Sequence, residues 1–205
     1  MASTAEAGLR ESDLDPDPIV QFKRWFAEAG DSGTPLPEAV ALATATPDGV
    51  PSARMVLCKG VDARGFAFFT NYGSDKGREL ASNPRAALVF YWPALGRQVR
   101  VSGRVSRTSA AESDAYFETR PLESRLSAAA SPQSAVVADR AALEAMVEEV
   151  RRRHGTAVPR PDSWGGYRLE PEAIEFWVHR DNRLHDRLRY SRGPDGGWRI
   201  ERLAP

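Results

Sequence analysis

The feature that most limits the fold of this chain is a set of short segments in which apolar and polar residues alternate, punctuated by tight-turn signals and interrupted once by a helical stretch. In QVRVSGRV (98–105), Val99, Val101 and Val105 share one side and Arg100 and Arg104 the other, the mark of a half-buried strand. Strands are also predicted over AVALATAT (39–46), VPSARMVLCK (50–59), FAFFTN (66–71) and AALVFYW (86–92), with turns at Pro47-Asp48-Gly49 and Asp62-Ala63-Arg64-Gly65. They return over YRLEPEAIEFWV (167–178), LHDRLRYSR (184–192) and WRIERL (198–203), the last two joined through Gly193-Pro194-Asp195-Gly196-Gly197. A helix is predicted from Pro18, with Phe22, Trp25 and Phe26 at helical spacing, to Gly30. A short one covers SDKGRELASN (74–83). Helical pieces fill 109–154, broken at Pro121 and Pro132, with AALEAMVEEVRRR (141–153) the clearest amphipathic run. Strand-rich ends around a helical insert predict a mainly β, α+β chain: an antiparallel barrel with satellite helices. Residues 1–15 are polar and aperiodic and are expected to form a flexible arm, leaving 16–205 as one domain.

Composition narrows the function. The 28 basic and 28 acidic residues cancel, which argues against a general attraction to nucleic acid or to an anionic membrane. No apolar run is long enough to span a bilayer and no signal-peptide core opens the chain. With Cys58 as its one cysteine, the chain can form no internal disulfide, so a cytoplasmic location is expected. There is no Gly-x-Gly-x-x-Gly, P-loop or Gly-x-Ser-x-Gly motif. His154, His179 and His185 do not stand at metal-ligand spacings, so no metal is expected.

Three clusters carry chemical potential. Arg183, His185, Arg187 and Arg189 alternate with other residues and on a strand would share one face. A solvated outer face is the plain alternative, yet four adjacent cations repel one another and an anion between them would relieve that. Tyr116 and Arg120 stand one helical turn apart, with Ser124 beyond Pro121, a set of donors suited to phosphate; a surface arginine beside a capping serine is the alternative. Arg54 and Lys59 bracket Met55-Val56-Leu57-Cys58, and their odd separation sends them to opposite faces of a regular strand, able to serve two anions or merely marking strand ends.

Together these segments resemble the pyridoxamine 5'-phosphate oxidase family. The strongest stretch is IEFWVHRDNRLHDRLRY (174–190), in which Glu175-Phe176-Trp177 precedes Arg183-Leu184-His185-Asp186-Arg187 at the family's spacing, followed by GWRIERLAP (197–205). DPIVQFKRWF, SARMVLCKG, FFTNYGSDKGRELASNPRAALVFYW, RQVRVSG, YFETRPLES and SWGGYRL extend the resemblance over roughly residues 9–205. It implies an antiparallel Greek-key split β-barrel that binds FMN at the interface of a homodimer. The residues implied to hold FMN are Arg54, Met55, Val56, Leu57, Cys58, Lys59, Phe69, Thr70, Lys76, Gln98, Gln133, Ser134, Trp164 and Arg187. Lys59, Tyr116, Arg120 and Ser124 are implied to grip the substrate's phosphate, and Arg183 and His185 to lie over its pyridine ring as the catalytic pair. The implied reaction is oxidation of pyridoxamine or pyridoxine 5'-phosphate by O2 to pyridoxal 5'-phosphate, with release of H2O2.

The sequence departs from the family pattern at four places. No Arg-x-x-Tyr element precedes the GLxExDL stretch; Asp75 stands beside Lys76; Val178 follows Glu-Phe-Trp; and Ala129 stands where a tryptophan is common. An open pocket keeps a second reading in play, an oxidase of phenazine-biosynthesis type acting on a bulkier substrate. A third is a non-catalytic split barrel that carries flavin or heme.

Overall fold

The computed structural model describes residues 8–205. Helix α1 (Pro18–Asp31) starts where the sequence places it: Asp17 accepts a hydrogen bond from the Ile19 amide and Pro18 occupies the first turn. Its apolar stripe buries Ile19, Phe22, Trp25 and Ala29. Phe22 meets Phe66 and Phe90 edge-on at 4.9 Å, and Trp25 meets Phe176 at 5.0 Å, so this helix fills the barrel's interior.

Eight antiparallel strands follow: β1 (Ala39–Ala45), β2 (Pro51–Asp62), β3 (Gly65–Asn71), β4 (Arg85–Trp92), β5 (Arg97–Arg107), β6 (Trp164–Val178), β7 (Asp186–Arg192) and β8 (Trp198–Arg202). They lie in the order β3-β2-β1-β4-β5-β6-β7-β8, and an additional β3–β6 pairing closes the first six into a barrel. The return of β4 to the side of β1, after β1, β2 and β3 have run consecutively, is the Greek-key crossing expected from the resemblance. In β5 the buried residues Val99, Val101 and Val105 alternate with exposed Arg100 and Arg104, as the sequence pattern requires.

Strand β6 is shared. Its first part, Trp164–Leu169, pairs with β3, and its last part, Ala173–Val178, pairs with β7. Between them the β5–β6 register shifts at Ser102/Gly103, a bulge that turns the chain out of the barrel. Gly103 is required there, because a Cβ would fall 1.9 Å from the Glu170 carbonyl oxygen.

The remaining helices are α2 (Asp75–Ser82), α3 (Ala110–Glu118), α4 (Leu122–Ala130) and α5 (Arg140–His154). Pro121 separates α3 from α4, as predicted. Phe117, Leu126, Val158 and Trp164 form a small second core under this insert. Of the predicted arm, residues 1–7 lie outside the described residues. From Gly8 the chain is tied down: Leu14 is buried, and the Asp15 carbonyl accepts a 2.6 Å hydrogen bond from Tyr190 Oη. Among the described residues no helix is long and apolar enough to cross a membrane.

Since backbone rather than a flexible side chain opposes Gly103, Gly103→Ala should cost about 3 kcal/mol, lowering Tm by roughly 6–12 °C in a domain of this size. Calorimetry of the two proteins checks this.

Candidate active site

A cavity of about 890 Å³ opens between β2, β3, the first turn of α2, the ends of α3 and α4, and the start of β6. That is at the upper end of the range for small-molecule sites. Thirteen of the predicted residues line it: Arg54, Met55, Val56, Leu57, Lys59, Phe69, Thr70, Lys76, Tyr116, Arg120, Gln133, Ser134 and Trp164. The odd spacing of Arg54 and Lys59 does place them in different burial sets of β2. Both still reach one cavity, and the β2–β3 register shift between Cys58 and Gly60 leaves Lys59 as the extra residue of a bulge.

The cations of this cavity differ in how they are balanced. Arg54 donates to Ser52 Oγ at 2.6 Å and to Glu79 Oε2 at 3.1 Å, and Thr44 accepts a further bond. Burial pushes the Glu79 carboxyl up, but hydrogen bonds from Thr44, Ser52 and Arg54 outweigh it and hold the group below its usual pKa. Lys59 pairs with Glu38 at 3.1 Å. Lys76 is buried and donates to neutral acceptors: Thr70 Oγ1 at 3.2 Å, Ser74 Oγ at 3.4 Å and Gln133 Oε1 at 3.4 Å. Burial, with the Arg54 charge, pulls its pKa down.

Arg120 is the least satisfied. Its Nη1 is buried with no hydrogen-bond partner, and its guanidinium lies 4.7 Å from the Trp164 ring centroid. Burial lowers its pKa too. Phe69, Tyr116 and Trp164 stack beside it, the first two rings 4.0 Å apart. A cation in the cavity wall with one buried donor left unpartnered fits an anionic ligand group better than a fully paired one would. The stacked rings offer a flat apolar wall next to it.

The other predicted residues do not line this cavity. Cys58 is buried in the barrel core, where burial raises its thiol to about 11. Ser124 sits in the first turn of α4, off the cavity wall. Gln98, His185, Arg187 and Arg183 gather at the other end of β6. Gln98 is opposite Trp177 and Trp177 opposite Arg187, while the His185 ring lies 4.7 Å from Trp177. The Arg180 amide donates to His185 Nδ1 at 3.1 Å. Arg187 forms a two-point pair with buried Glu175, at 2.9 and 3.3 Å.

The single strand face of four cations needs correcting. β7 begins at Asp186, so Arg183 and His185 belong to the preceding turn. Asn182 (φ 56°) and Arg183 (φ 62°) are both left-handed, which breaks the alternation and costs roughly 1–3 kcal/mol each. Arg187 and Arg189 also have carboxylates, Glu175 and Glu201, so their charges are already balanced. The two clusters stand toward opposite ends of β6, at Trp164 and Trp177, roughly 40 Å apart along the strand at about 3.3 Å per residue.

Residues 27–154 match the family model described as pyridoxamine 5'-phosphate oxidase, and residues 164–205 that of the pyridoxine 5'-phosphate oxidase C-terminal dimerisation region. The chain belongs to the pyridoxamine 5'-phosphate oxidase family. A pyridoxine/pyridoxamine 5'-phosphate oxidase of Ralstonia nicotianae is 60% identical over 201 residues, 98% of this chain and 95% of the relative. Another from Herminiimonas arsenicoxydans is 55% identical, with 98% and 95% covered. Among solved structures, PhzG from Burkholderia lata, in complex with tetrahydrophenazine-1-carboxylic acid, superposes with a TM-score of 0.92 at 38% identity, covering 98% of this chain and 100% of that one. A related FMN-binding protein of Nostoc punctiforme (TM-score 0.77, 18% identity, 94% and 100% covered) shares the fold.

Sequence reasoning missed Glu79, Thr44 and Ser52, which hold Arg54, and Trp177, which joins the second cluster. Two signals were present: Glu79 is one helical turn from Lys76, and Trp177 shares a β6 face with Glu175. Because the folded pKa of Glu79 lies below its unfolded value of about 4.5, its contribution is complete above that pH and fades as pH falls through the folded value. Glu79→Gln should therefore lose about 1–2 kcal/mol at pH 7. The difference in Tm from the parent should shrink steadily in thermal melts below pH 4.5.

Proposed function

We propose that this family member is an FMN-dependent oxidase of phosphorylated B6 vitamers, converting pyridoxamine or pyridoxine 5'-phosphate to pyridoxal 5'-phosphate in the cytoplasm as a homodimer. The observation that carries the reading is Arg120, a cation buried in the cavity wall with an unpartnered Nη1, beside Tyr116 and across a cavity that Lys59 also lines. A phosphate dianion needs several charge-assisted donors, and these three supply them. The names of the relatives, and their identity over nearly the whole chain, point the same way.

FMN, when bound, would supply two-electron oxidation of the substrate with O2 as final acceptor and H2O2 as product; for the amine substrate, water enters and ammonia leaves. The chain's own part is placement and charge. Arg54, Lys76, Thr70, Gln133 and Ser134 form the polar side of the cavity suited to the flavin's phosphate and ring edge, and Met55, Val56 and Leu57 line β2 beside it. Lys59, Tyr116 and Arg120 would hold the substrate's phosphate, with the Phe69–Tyr116–Trp164 stack excluding water next to it. Arg183 and His185 would complete the site from a second copy of the chain, together with Gln98 and Arg187. The match of residues 164–205 to a dimerisation region supports that arrangement, as does the separation of the two clusters along β6. With Nδ1 engaged by a backbone N–H, His185 keeps its Nε2 free to face a ligand.

A second reading is favoured by one observation, the fit to PhzG along the entire chain. It would have the cavity take a tricyclic carboxylic acid against its small-residue wall of Ser127, Ala128 and Ser131. Peroxide release separates the two. Pyridoxine 5'-phosphate should be turned over at least about 100-fold more efficiently than tetrahydrophenazine-1-carboxylic acid, since the buried donors would otherwise stay unpaired. The reverse preference would sink the B6 assignment. Lys59→Ala should raise KM for the phosphorylated substrate about 10- to 100-fold with kcat little changed.

Sharing of the site between subunits has its own test. Neither K59A/R120A nor R183A should be active alone at substrate concentrations near the parent's KM. Refolded together, they should recover about a quarter of parental activity, because half the dimers would be mixed and each would carry one intact site. No recovery would mean that each subunit builds its site alone.

A further inference from the structure

The turn that carries Arg183 and His185 is closed at its base by an ion pair. Arg180 Nε donates to Asp186 Oδ2 at 2.9 Å, and both side chains are mostly buried. The Arg180 amide holds His185 Nδ1, so the residue that anchors the turn also sets the tilt of the imidazole. Inside the turn, two consecutive left-handed residues, Asn182 and Arg183, store strain that only surrounding contacts can maintain.

Those contacts come from far away in sequence. The Leu9 amide donates to Asp186 Oδ2 at 3.1 Å. Arg202, at the end of β8, donates to Asp186 Oδ1 at 2.7 Å, to the Leu9 carbonyl at 2.7 Å and to both Glu11 oxygens at 3.0 and 3.1 Å. Gly8 passes so close to Arg180 that a Cβ there would lie 2.5 Å from its Nη2. One carboxylate therefore joins the N-terminal segment, the last strand and the turn.

We propose that Asp186 is a positioning residue, and that Leu9–Glu11, clamped to it through Arg202, form a strap that holds the turn bearing Arg183 and His185 in its reactive shape. The consequence for turnover rests on the reading that these two residues act on the substrate; the strap itself does not. Asp186 touches neither the cavity nor any residue lining it. It acts through Arg180 and the backbone of the turn.

Two substitutions test this on the FMN-loaded protein, with hydrogen exchange of amides 180–185 and steady-state kinetics as readouts. Asp186→Asn keeps the shape but loses the charge that both arginines need. Arg202→Gln removes the bonds from Arg202 to Glu11, the Leu9 carbonyl and Asp186 without substituting any residue of the turn, and serves if the first variant folds poorly. Exchange in the turn should quicken about ten-fold or more. kcat should fall about 10- to 100-fold while KM and flavin content stay within about two-fold of the parent, since a small misplacement affects the reacting groups rather than the phosphate grip. Faster exchange with unchanged kcat upholds the strap and overturns the assignment of Arg183 and His185 to the substrate. Unchanged exchange in both variants overturns the strap, whatever happens to turnover.

Discussion

The pairing of β3 with the first part of β6 is the constraint on which the rest of the structure depends. It closes the barrel around the aromatic side of α1 and brings Phe69 and Thr70 level with Gly166 and Gly165, beside Trp164. The two glycines are needed because Tyr72, Thr108 and Phe69 crowd the places where their side chains would be. Without that ladder the stacked wall of Phe69, Tyr116 and Trp164 would not form, and Arg120 would lose the surface that shields it. Since β6 continues past Pro171 to pair with β7, the same strand that closes the cavity also presents the Trp177, His185 and Arg187 group. One long strand thus carries both groups that a subunit would contribute, one at each end.

Electrostatics gives the cavity its character. Glu79 and Glu38 balance Arg54 and Lys59 at its edges, whereas Lys76 and Arg120 have no carboxylate within ion-pair distance among the described residues. A neutral chain overall therefore holds a local surplus of positive charge. The cost of burying those two cations is visible as their lowered proton affinity. An anion entering the cavity would repay it, which is a stronger argument for a phosphorylated ligand than the number of basic residues alone.

The strands, their turns and most of the lining residues were legible in the sequence, because alternation in β5 and turn signals such as Pro47-Asp48-Gly49 act locally. The Arg183–Arg189 face was misread for a definite reason. Alternation continues through 183–189 in the sequence, but nothing local announces that a non-glycine pair, Asn182 and Arg183, adopts left-handed backbone geometry. That geometry depends on Asp186, Arg202 and Leu9, partners more than a hundred residues apart in part. Likewise the Glu79 partnership with Arg54 arises from packing α2 on β1 and β2, which periodicity within either element does not encode.

Cys58 gives the chain a chemical property of its own. Buried between β2 and β3, with its pKa raised to about 11, the thiol stays protonated at neutral pH. Peroxide attacks thiolate, not thiol, and burial blocks its approach as well. The single sulfhydryl of this protein is thereby poorly placed to act as a thiol switch toward oxidants.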